Sequence, residues 1–282
     1  KVAPEQLVFG CGSDEVIVLA VRVFVQPGDE VVIAKPSFLV YSIASRLAGA
    51  VLREVPLKGL RYDLEAMKKA VTPRTKIVFI GNPDNPSGNY ASDAEIKAFL
   101  KGLPEHVVVF FDEAYAEFVT EEDYPDTLAL LKKRKNVIIA RTFSKLYGLA
   151  GLRVGYGVMD AEAADYMNRV REPFNVTSVA QAAALAALKD QGYYKKVLAE
   201  LNREREKMCS ALEASGIKCS RGYTNFIQIR TPKDSREVAL ALLKKGVIVR
   251  DMSVWGLQDY IRVSIGTPKE NARFLKSLKE IL

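Results

Sequence analysis

A lysine and an arginine lie in a segment that otherwise predicts buried backbone, RTFSKLYGLAGLRVGYG at residues 141–157. Lys145 follows the apolar run NVIIA by a few residues, and Arg153 comes eight positions after it. A lysine amine at the end of a buried strand can bond covalently to an aldehyde, and a guanidinium is suited to bidentate binding of phosphate. Two solvated loop charges would give the same pattern, so the segment alone leaves both interpretations open.

Polar residues also follow three other apolar runs, in the segments GCGSDE (10–15), GNPDNPSGNY (81–90) and DEAYAEF (112–118). Ser13 and Asp14 stand at a predicted helix start after two glycines, where exposed backbone N–H groups suit a phosphate. Ser13 is equally well explained as a plain N-cap. Asn85 precedes a proline, which keeps it extended and presents its amide.

Asp112 and Glu113 end the apolar run VVVFF, where an ionised carboxylate is costly unless it is paired. Either a structural salt bridge or a carboxylate that holds a buried cationic group explains them. Ligands of open α/β sheets bind beyond the carboxyl ends of the strands, so all these polar groups are expected to meet. Together they suit pyridoxal phosphate, which needs a lysine, an acid for its pyridine nitrogen and anion-binding groups for its phosphate.

The segments that must position these groups alternate between apolar β-branched runs and amphipathic stretches. Buried strands are predicted at residues 30–36, 75–83, 106–115, 136–144 and 152–159. Helices are predicted at residues 13–25, 38–49, 63–71 and 92–103. This alternation predicts an α/β fold with a mainly parallel sheet covered by helices on both faces.

The character of the chain changes near residue 175. The last third predicts helices at 176–190, 193–215, 234–246 and the C-terminus, and short strands within 219–230, 247–252 and 260–266. Strands mixed with helices in so short a stretch predict a smaller α+β domain. We therefore expect a large cofactor-binding domain at residues 1–190 and a small C-terminal domain at residues 191–282.

Composition excludes several classes of function. The 282 residues are 49% hydrophobic and 27% charged, as in an ordinary globular protein. The three cysteines have no metal-ligand spacing and the single histidine precedes an apolar strand, so we expect no metal site and a reduced, cytoplasmic protein. The net charge of +7 is spread along helix-like segments, which does not favour nucleic-acid binding. No apolar run is long enough to span a membrane.

The ordered motifs NPDNPSG, DEAYAEF, RTFSKLYGLAGLRVGYG, PFNVTSVAQ and YIRVSIGT closely resemble those of fold-type I aminotransferases of class I and II, over essentially the whole chain. The resemblance implies pyridoxal 5'-phosphate as cofactor, with Lys145 bonded to it and Asp112 paired with its pyridinium nitrogen. Other implied cofactor contacts are Asn85 and Tyr115 at the phenolic oxygen, Phe38 on the ring face, and the backbone at Ser13 and Asp14 with Ser144 and Arg153 at the phosphate.

Within that group the chain is most similar to the histidinol-phosphate aminotransferases, through DEAYAEF, PFNVTSVAQAA and GVIVRDMSVWGLQDYIRVSIGT. The similarity implies transamination of histidinol phosphate with 2-oxoglutarate, giving imidazole-acetol phosphate and glutamate in histidine biosynthesis. It also implies that Arg250 and Arg262 bind the substrate's anionic groups, supported by Asn225. An aromatic amino-acid aminotransferase and a threonine-phosphate decarboxylase are alternatives of the same fold, and a non-catalytic domain that senses pyridoxal phosphate is a remote one.

The sequence departs from the family pattern in three places. Asp84 and Ser87 stand where NPNNPTG is usual, and Trp255 replaces the more usual tyrosine or phenylalanine. The family's N-terminal arm, which reaches the neighbouring subunit's cofactor phosphate, is expected to be absent from this chain. The resemblance implies a homodimer. A nucleotide-binding module is disfavoured because Glu15 stands where G-x-G-x-x-G requires glycine.

Overall fold

The computed structural model describes residues 1–282, which form two compact units, Lys1–Asp190 and Gln191–Leu282. None of the helices is both long and apolar enough to cross a membrane. The strands of the larger unit are β1 (Leu7–Gly10), β2 (Glu30–Lys35), β3 (Val51–Pro56), β4 (Thr75–Gly81), β5 (Val108–Asp112), β6 (Val137–Thr142) and β7 (Gly155–Val158). Its helices are α1 (Ser13–Phe24), α2 (Leu39–Leu47), α3 (Leu64–Lys69), α4 (Asp93–Leu100), α5 (Thr127–Leu131), α6 (Ala161–Val170) and α7 (Ser178–Lys189).

The strands of the larger unit form one sheet in the order β1-β7-β6-β5-β4-β2-β3. Six of the seven strands run in one direction and only β7 runs in the opposite one, so the prediction of a mainly parallel sheet is confirmed. A parallel connection needs a crossover of a dozen or more residues, usually a helix, but only a 3₁₀ turn, Ala150–Leu152, lies between β6 and β7. The connecting chain therefore stays at the carboxyl end of β6, and it carries both Lys145 and Arg153.

Helices cover both faces of this sheet, as the sequence predicts. Ile77 and Phe79 of β4 belong to a core that includes buried residues of α1, α2 and α6. Val78 and Ile80 of the same strand belong to a second core with residues of α3, α4 and α5. Because side chains alternate along a strand, a strand buried on both faces must be apolar throughout.

Four helices and strands of the large unit are not predicted from the sequence, because their own hydrophobic patterns are weak. β3 lies at the edge of the sheet, and its sequence VLREVP has no continuous apolar run. β1 has four residues and α5 has five. α6 is mostly polar and buries only Ala164 and Met167. Elements of this kind depend on tertiary packing rather than on local propensity.

The small unit is described by itself and has an α+β fold, which confirms the prediction. Its elements are α8 (Gln191–Ala214), β8 (Cys219–Ser220), β9 (Phe226–Arg230), α9 (Ser235–Lys244), β10 (Arg250–Asp251), β11 (Tyr260–Ser264) and α10 (Pro268–Lys279). The strands form an antiparallel sheet in the order β10-β11-β9-β8. Its core packs Ile229 of β9 and Ile261 of β11 with Met208 of α8, Leu242 of α9 and Phe274 of α10.

Candidate active site

A cavity of about 150 Å³ lies in the large unit, where β4, β5 and β6 end. The structure brings together at this cavity all nine large-unit residues that the sequence singles out: Ser13, Asp14, Phe38, Asn85, Asp112, Tyr115, Ser144, Lys145 and Arg153. Its remaining lining consists of Tyr41, Pro83, Ala114, Thr142 and Ala150. The cavity thus has the position that ligands take in open α/β sheets.

Asp112, the last residue of β5, is a buried carboxylate with two hydrogen-bond donors. The Tyr41 hydroxyl donates to Oδ2 at 2.8 Å, and the Ala114 N–H donates to Oδ1 at 3.1 Å. Burial raises the pKa of Asp112 to about 6, although both donors and the charge of Lys145 favour the ionised form. A cationic group bound in the cavity would compensate for the desolvation of this carboxylate.

Asp112→Asn is expected to weaken the pH dependence of stability in the cofactor-free protein. Folding raises the pKa of Asp112 from 3.8 to about 6, so between these values the folded state holds a proton that the unfolded state has released. The free energy of unfolding therefore falls as pH rises, on the order of 1 kcal/mol between pH 5 and pH 7.5. Urea unfolding at both pH values measures this difference. A variant with the wild-type difference would contradict the assignment.

Tyr41 is a site residue that sequence analysis missed. It lies in α2, its ring stacks on Phe79 with centroids 4.7 Å apart, and it is almost completely buried. Burial and the neighbouring Asp112 carboxylate raise the pKa of the Tyr41 hydroxyl well above its ordinary value, so Tyr41 remains a donor. The only sequence signal is its position three residues after Phe38, about one helical turn along the same face.

The sequence allows a structural salt bridge at either Asp112 or Glu113. In the structure Glu113 forms it and Asp112 does not. The Glu113 carboxylate accepts hydrogen bonds from Arg141 at 2.8 Å and from the Thr127 hydroxyl at 2.5 Å. Glu113 is completely buried, so a charged partner of this kind is required. Successive side chains of an extended chain point in opposite directions. Asp112 therefore faces the cavity, whereas Glu113 faces Arg141 on the other side.

Lys145 lies in the turn that follows β6. The Thr142 hydroxyl accepts the Ser144 N–H at 3.1 Å and donates to the Ser144 hydroxyl at 3.0 Å, which holds the start of this turn. Lys145 Nζ lies 5.2 Å from the centroid of the Tyr115 ring, a cation–π contact. The ammonium group is thereby held on the side of the cavity that Tyr115 forms.

The guanidinium of Arg153 lies beside the N-terminus of α1. It donates to the Asp14 carboxylate at 3.1 Å, to the Cys11 carbonyl at 3.3 Å and to the Ser144 hydroxyl at 3.5 Å. The first backbone N–H groups of α1 have no partner within the helix, and the helix dipole adds positive potential there. Together with the guanidinium they form an anion cradle, for which phosphate is the best-attested ligand.

Two glycines allow this approach. A Cβ at Gly12, whose φ is 80°, would lie 2.3 Å from the Arg153 guanidinium. A Cβ at Gly155 would lie 2.4 Å from the Ser13 backbone nitrogen. Real Cβ atoms do not approach other atoms so closely, so side chains at these positions would push Arg153 and β7 away from α1.

The three substrate-binding candidates lie in the small unit. Arg250 of β10 is directly opposite Arg262 of β11, and both guanidiniums lie over the Trp255 ring, at 5.2 and 5.5 Å from its centroid. Arg262 also lies 4.7 Å from the centroid of the Phe226 ring. Asn225 directly precedes β9, and its carbonyl accepts the N–H of residue 265 at 2.9 Å. The structure thus brings the two arginines together on one aromatic surface.

The family model for class I and II aminotransferases matches residues 1–278, so the chain belongs to the aminotransferase class I and II family. It is 47% identical to the histidinol-phosphate aminotransferase of Moorella thermoacetica, over 100% of this chain and 73% of the relative. It is 43% identical to histidinol-phosphate aminotransferase 2 of Carboxydothermus hydrogenoformans, over 100% of this chain and 78% of the relative. Among solved structures it is similar to the histidinol-phosphate aminotransferase of Sinorhizobium meliloti in complex with pyridoxal-5'-phosphate, with a TM-score of 0.88 and 30% identity over 100% of this chain and 79% of that one.

Proposed function

We propose that the chain is a pyridoxal-phosphate-dependent aminotransferase that transfers the amino group of histidinol phosphate to 2-oxoglutarate, a step of histidine biosynthesis. Similarity over the whole chain to relatives named histidinol-phosphate aminotransferase supports this substrate. The observation that carries the proposal is that the buried Asp112 carboxylate, Lys145 and Arg153 line one cavity. An acid, an amine and an anion cradle are the three groups that the cofactor requires.

Lys145 and Asp112 carry the chemistry in this proposal. Bound pyridoxal phosphate supplies an electron-withdrawing ring, which stabilises negative charge on the substrate's α-carbon. Asp112, held by Tyr41 and Ala114, would face the ring nitrogen in its ionised form and keep a proton on it. Lys145 would hold the cofactor through its aldehyde, and its amine, once displaced by the substrate's amine, would carry the proton between the substrate's α-carbon and the C4′ carbon.

The other cavity residues orient the cofactor. Phe38 offers a flat face to the pyridine ring, and its edge-on contact with Tyr41, with centroids 5.6 Å apart and planes at 81°, fixes its own orientation. Asn85 and Tyr115 would donate hydrogen bonds to the phenolic oxygen and favour its ionised form. The backbone at Ser13 and Asp14, the Ser144 hydroxyl and Arg153 would bind the phosphate.

The arginine pair of the small unit supports a phosphorylated substrate. Two like charges directly opposite each other on paired strands are destabilising, and a dianionic group would relieve that repulsion. Both guanidiniums lie against the Trp255 ring, and stacking on an aromatic face is a geometry that suits arginine. Arg250 and Arg262 therefore suit a phosphate together with a carboxylate-bearing acceptor, with Asn225 in a supporting position.

Arg250→Ala is expected to remove the preference for the phosphorylated substrate. The wild-type chain, loaded with pyridoxal phosphate, should convert histidinol phosphate far more efficiently than phenylalanine. The variant should lose about 10-fold or more in kcat/KM for histidinol phosphate, because a hydrogen bond between charged groups contributes about 1.5–3 kcal/mol. Its kcat/KM for phenylalanine should change little.

Arg273→Ala is the matched control for that measurement, since Arg273 is an exposed small-unit arginine whose guanidinium donates to the Lys245 carbonyl. It should leave both substrates unaffected. If Arg250→Ala weakened histidinol phosphate and phenylalanine equally, the phosphate assignment would fall, and an aromatic amino-acid aminotransferase would explain the cavity better.

We also propose that the chain acts as a homodimer. Phe174 is 96% exposed and has a φ of 58°, which is unfavourable for a residue with a Cβ. Beside it, Phe9, Leu185 and Leu188 line an apolar hollow of about 700 Å³. Exposed apolar side chains grouped around a hollow are a feature of interaction sites, and a second copy is the occupant proposed here. Sedimentation equilibrium should give twice the chain mass, and a monomer at micromolar concentration would contradict the proposal.

The proposed location is the cytoplasm. Cys11, Cys209 and Cys219 are all free thiols, which is the usual state of cysteines in reducing compartments. Cell fractionation that recovered the protein from an oxidising compartment would contradict this location.

A further inference from the structure

Asp84 is buried in the loop after β4, directly before Asn85, with only 1% of its surface exposed. One carboxylate oxygen accepts a hydrogen bond from the Tyr62 hydroxyl at 2.8 Å, and the other accepts the Ser87 N–H at 3.0 Å. The Ser87 hydroxyl and the Asn85 backbone N–H also hydrogen-bond to this carboxylate. All four of these contacts come from groups that can donate.

Neighbouring groups set the direction of these bonds. The Tyr62 oxygen already accepts the Gly81 N–H at 3.0 Å, so its own proton is available for Asp84. The Ser87 oxygen accepts the Asn89 N–H at 3.3 Å, which leaves the Ser87 proton for the same carboxylate. An amide or a protonated carboxyl at position 84 would place its own N–H or O–H opposite one of these donors, and that hydrogen bond would be lost. An ionised carboxylate therefore matches this loop.

Keeping a buried carboxylate ionised costs free energy. Burial raises the pKa of Asp84 to about 6, against the opposing effect of its donors, so the charge is present at neutral pH in spite of desolvation. The residues on either side, Pro83 and Asn85, both line the cofactor cavity. The buried charge of Asp84 thus lies directly between two residues whose positions shape the cofactor cavity.

We propose that Asp84 is a positioning residue: its four donors fix the backbone around Asn85 so that the Asn85 amide faces the cofactor. Tyr62 ties the same carboxylate to Gly81 at the end of β4, which anchors the loop to the sheet. The inference rests on the proposed function, because the partner assigned to Asn85 is the phenolic oxygen of pyridoxal phosphate.

A double-mutant cycle tests whether Asp84 acts through Asn85. Asp84→Asn and Asn85→Ala are each expected to weaken pyridoxal phosphate binding by about 10-fold, a typical loss for one hydrogen bond to a charged group. The double variant should bind no more weakly than Asn85→Ala alone, because residues that act through one another are not additive. The dissociation constant of the full chain is measured by titrating the visible absorption band. The pH midpoint of that band should shift upward in all three variants.

Asp126→Asn is the matched control, since Asp126 caps α5 through the Ala129 N–H and is exposed; its affinity for the cofactor should equal that of the wild type. If Asp84→Asn does not fold, Tyr62→Phe takes its place in the cycle. Its loss of affinity for pyridoxal phosphate should be smaller, and it should add nothing to the loss caused by Asn85→Ala. Additive losses, or wild-type affinity in Asp84→Asn, would overturn this inference alone. A wild-type chain that did not bind pyridoxal phosphate would overturn the proposed function and this inference with it.

Discussion

Alanine in place of Lys145 is expected to lower turnover of histidinol phosphate by about 10⁴-fold, the upper range for removal of a general acid–base group. No other lysine lines the cavity, so no neighbouring amine is placed to accept the proton or to bind the aldehyde. The visible absorption band should change with the loss of the bond to the amine. Stopped-flow and steady-state rates of the loaded enzyme measure the effect on turnover.

Lys135→Ala is the matched control, because Lys135 is an exposed lysine just before the amino end of the same strand, β6. It should retain wild-type turnover and the wild-type spectrum. Lys145 is only half-buried and lies in a turn, so its replacement should leave the thermal midpoint almost unchanged. Wild-type turnover in a folded Lys145→Ala variant would exclude the proposed chemistry.

Several cavity residues of the large unit could be predicted because they follow local sequence signals, whereas Phe38 and Ser144 are implied only by the family resemblance. Asp112 comes directly after the apolar run VVVFF and Lys145 a few residues after the run NVIIA, and a charge close to buried strands is costly unless it is paired. Asn85 lies in a loop of two Asn-Pro pairs, and Ser13 starts a clearly amphipathic helix. Once the runs are taken as parallel strands, the rule that ligands bind at their carboxyl ends places these residues together.

Residues that reach the site only through tertiary packing could not be predicted in the same way. Tyr41 lies inside an apolar helix, so its sequence context predicts a core residue. Its hydrogen bond to Asp112 spans 71 positions of sequence. The choice between Asp112 and Glu113 depends on which way each side chain points, and Arg141, which settles it, comes from the next strand. The reversed direction of β7 depends on the absence of a helix in a loop that has no strong pattern of its own.

The Asp84 carboxylate shows a further limit of sequence reasoning. Within the motif NPDNPSG the sequence predicts only a tolerable turn substitution at Asp84, since aspartate is common in turns. Its burial and its four donors emerge only when Tyr62 packs against the end of β4. A local pattern can therefore locate a functional loop without showing which of its side chains fix the geometry.

Arg153→Ala is expected to weaken binding of pyridoxal phosphate by about 100-fold, because several charge-assisted hydrogen bonds to a dianion are lost. Binding of pyridoxal, which has the ring and aldehyde but no phosphate, should change little. Inorganic phosphate should compete with the cofactor in the wild type and compete much less in the variant. Titration of both ligands at low and moderate ionic strength separates the phosphate contribution, since screening weakens exposed charge pairs.

Gly12→Ala tests the same cradle without removing a charge. Its Cβ would lie 2.3 Å from the Arg153 guanidinium, at a φ of 80°, so the guanidinium must move away from the N-terminus of α1. The same selective loss of pyridoxal phosphate over pyridoxal is expected. Arg22→Ala, at the exposed far end of α1, should bind both ligands as the wild type does. Equal losses for both ligands in Arg153→Ala would mean that the arginine stabilises the fold of the cavity and does not bind the phosphate.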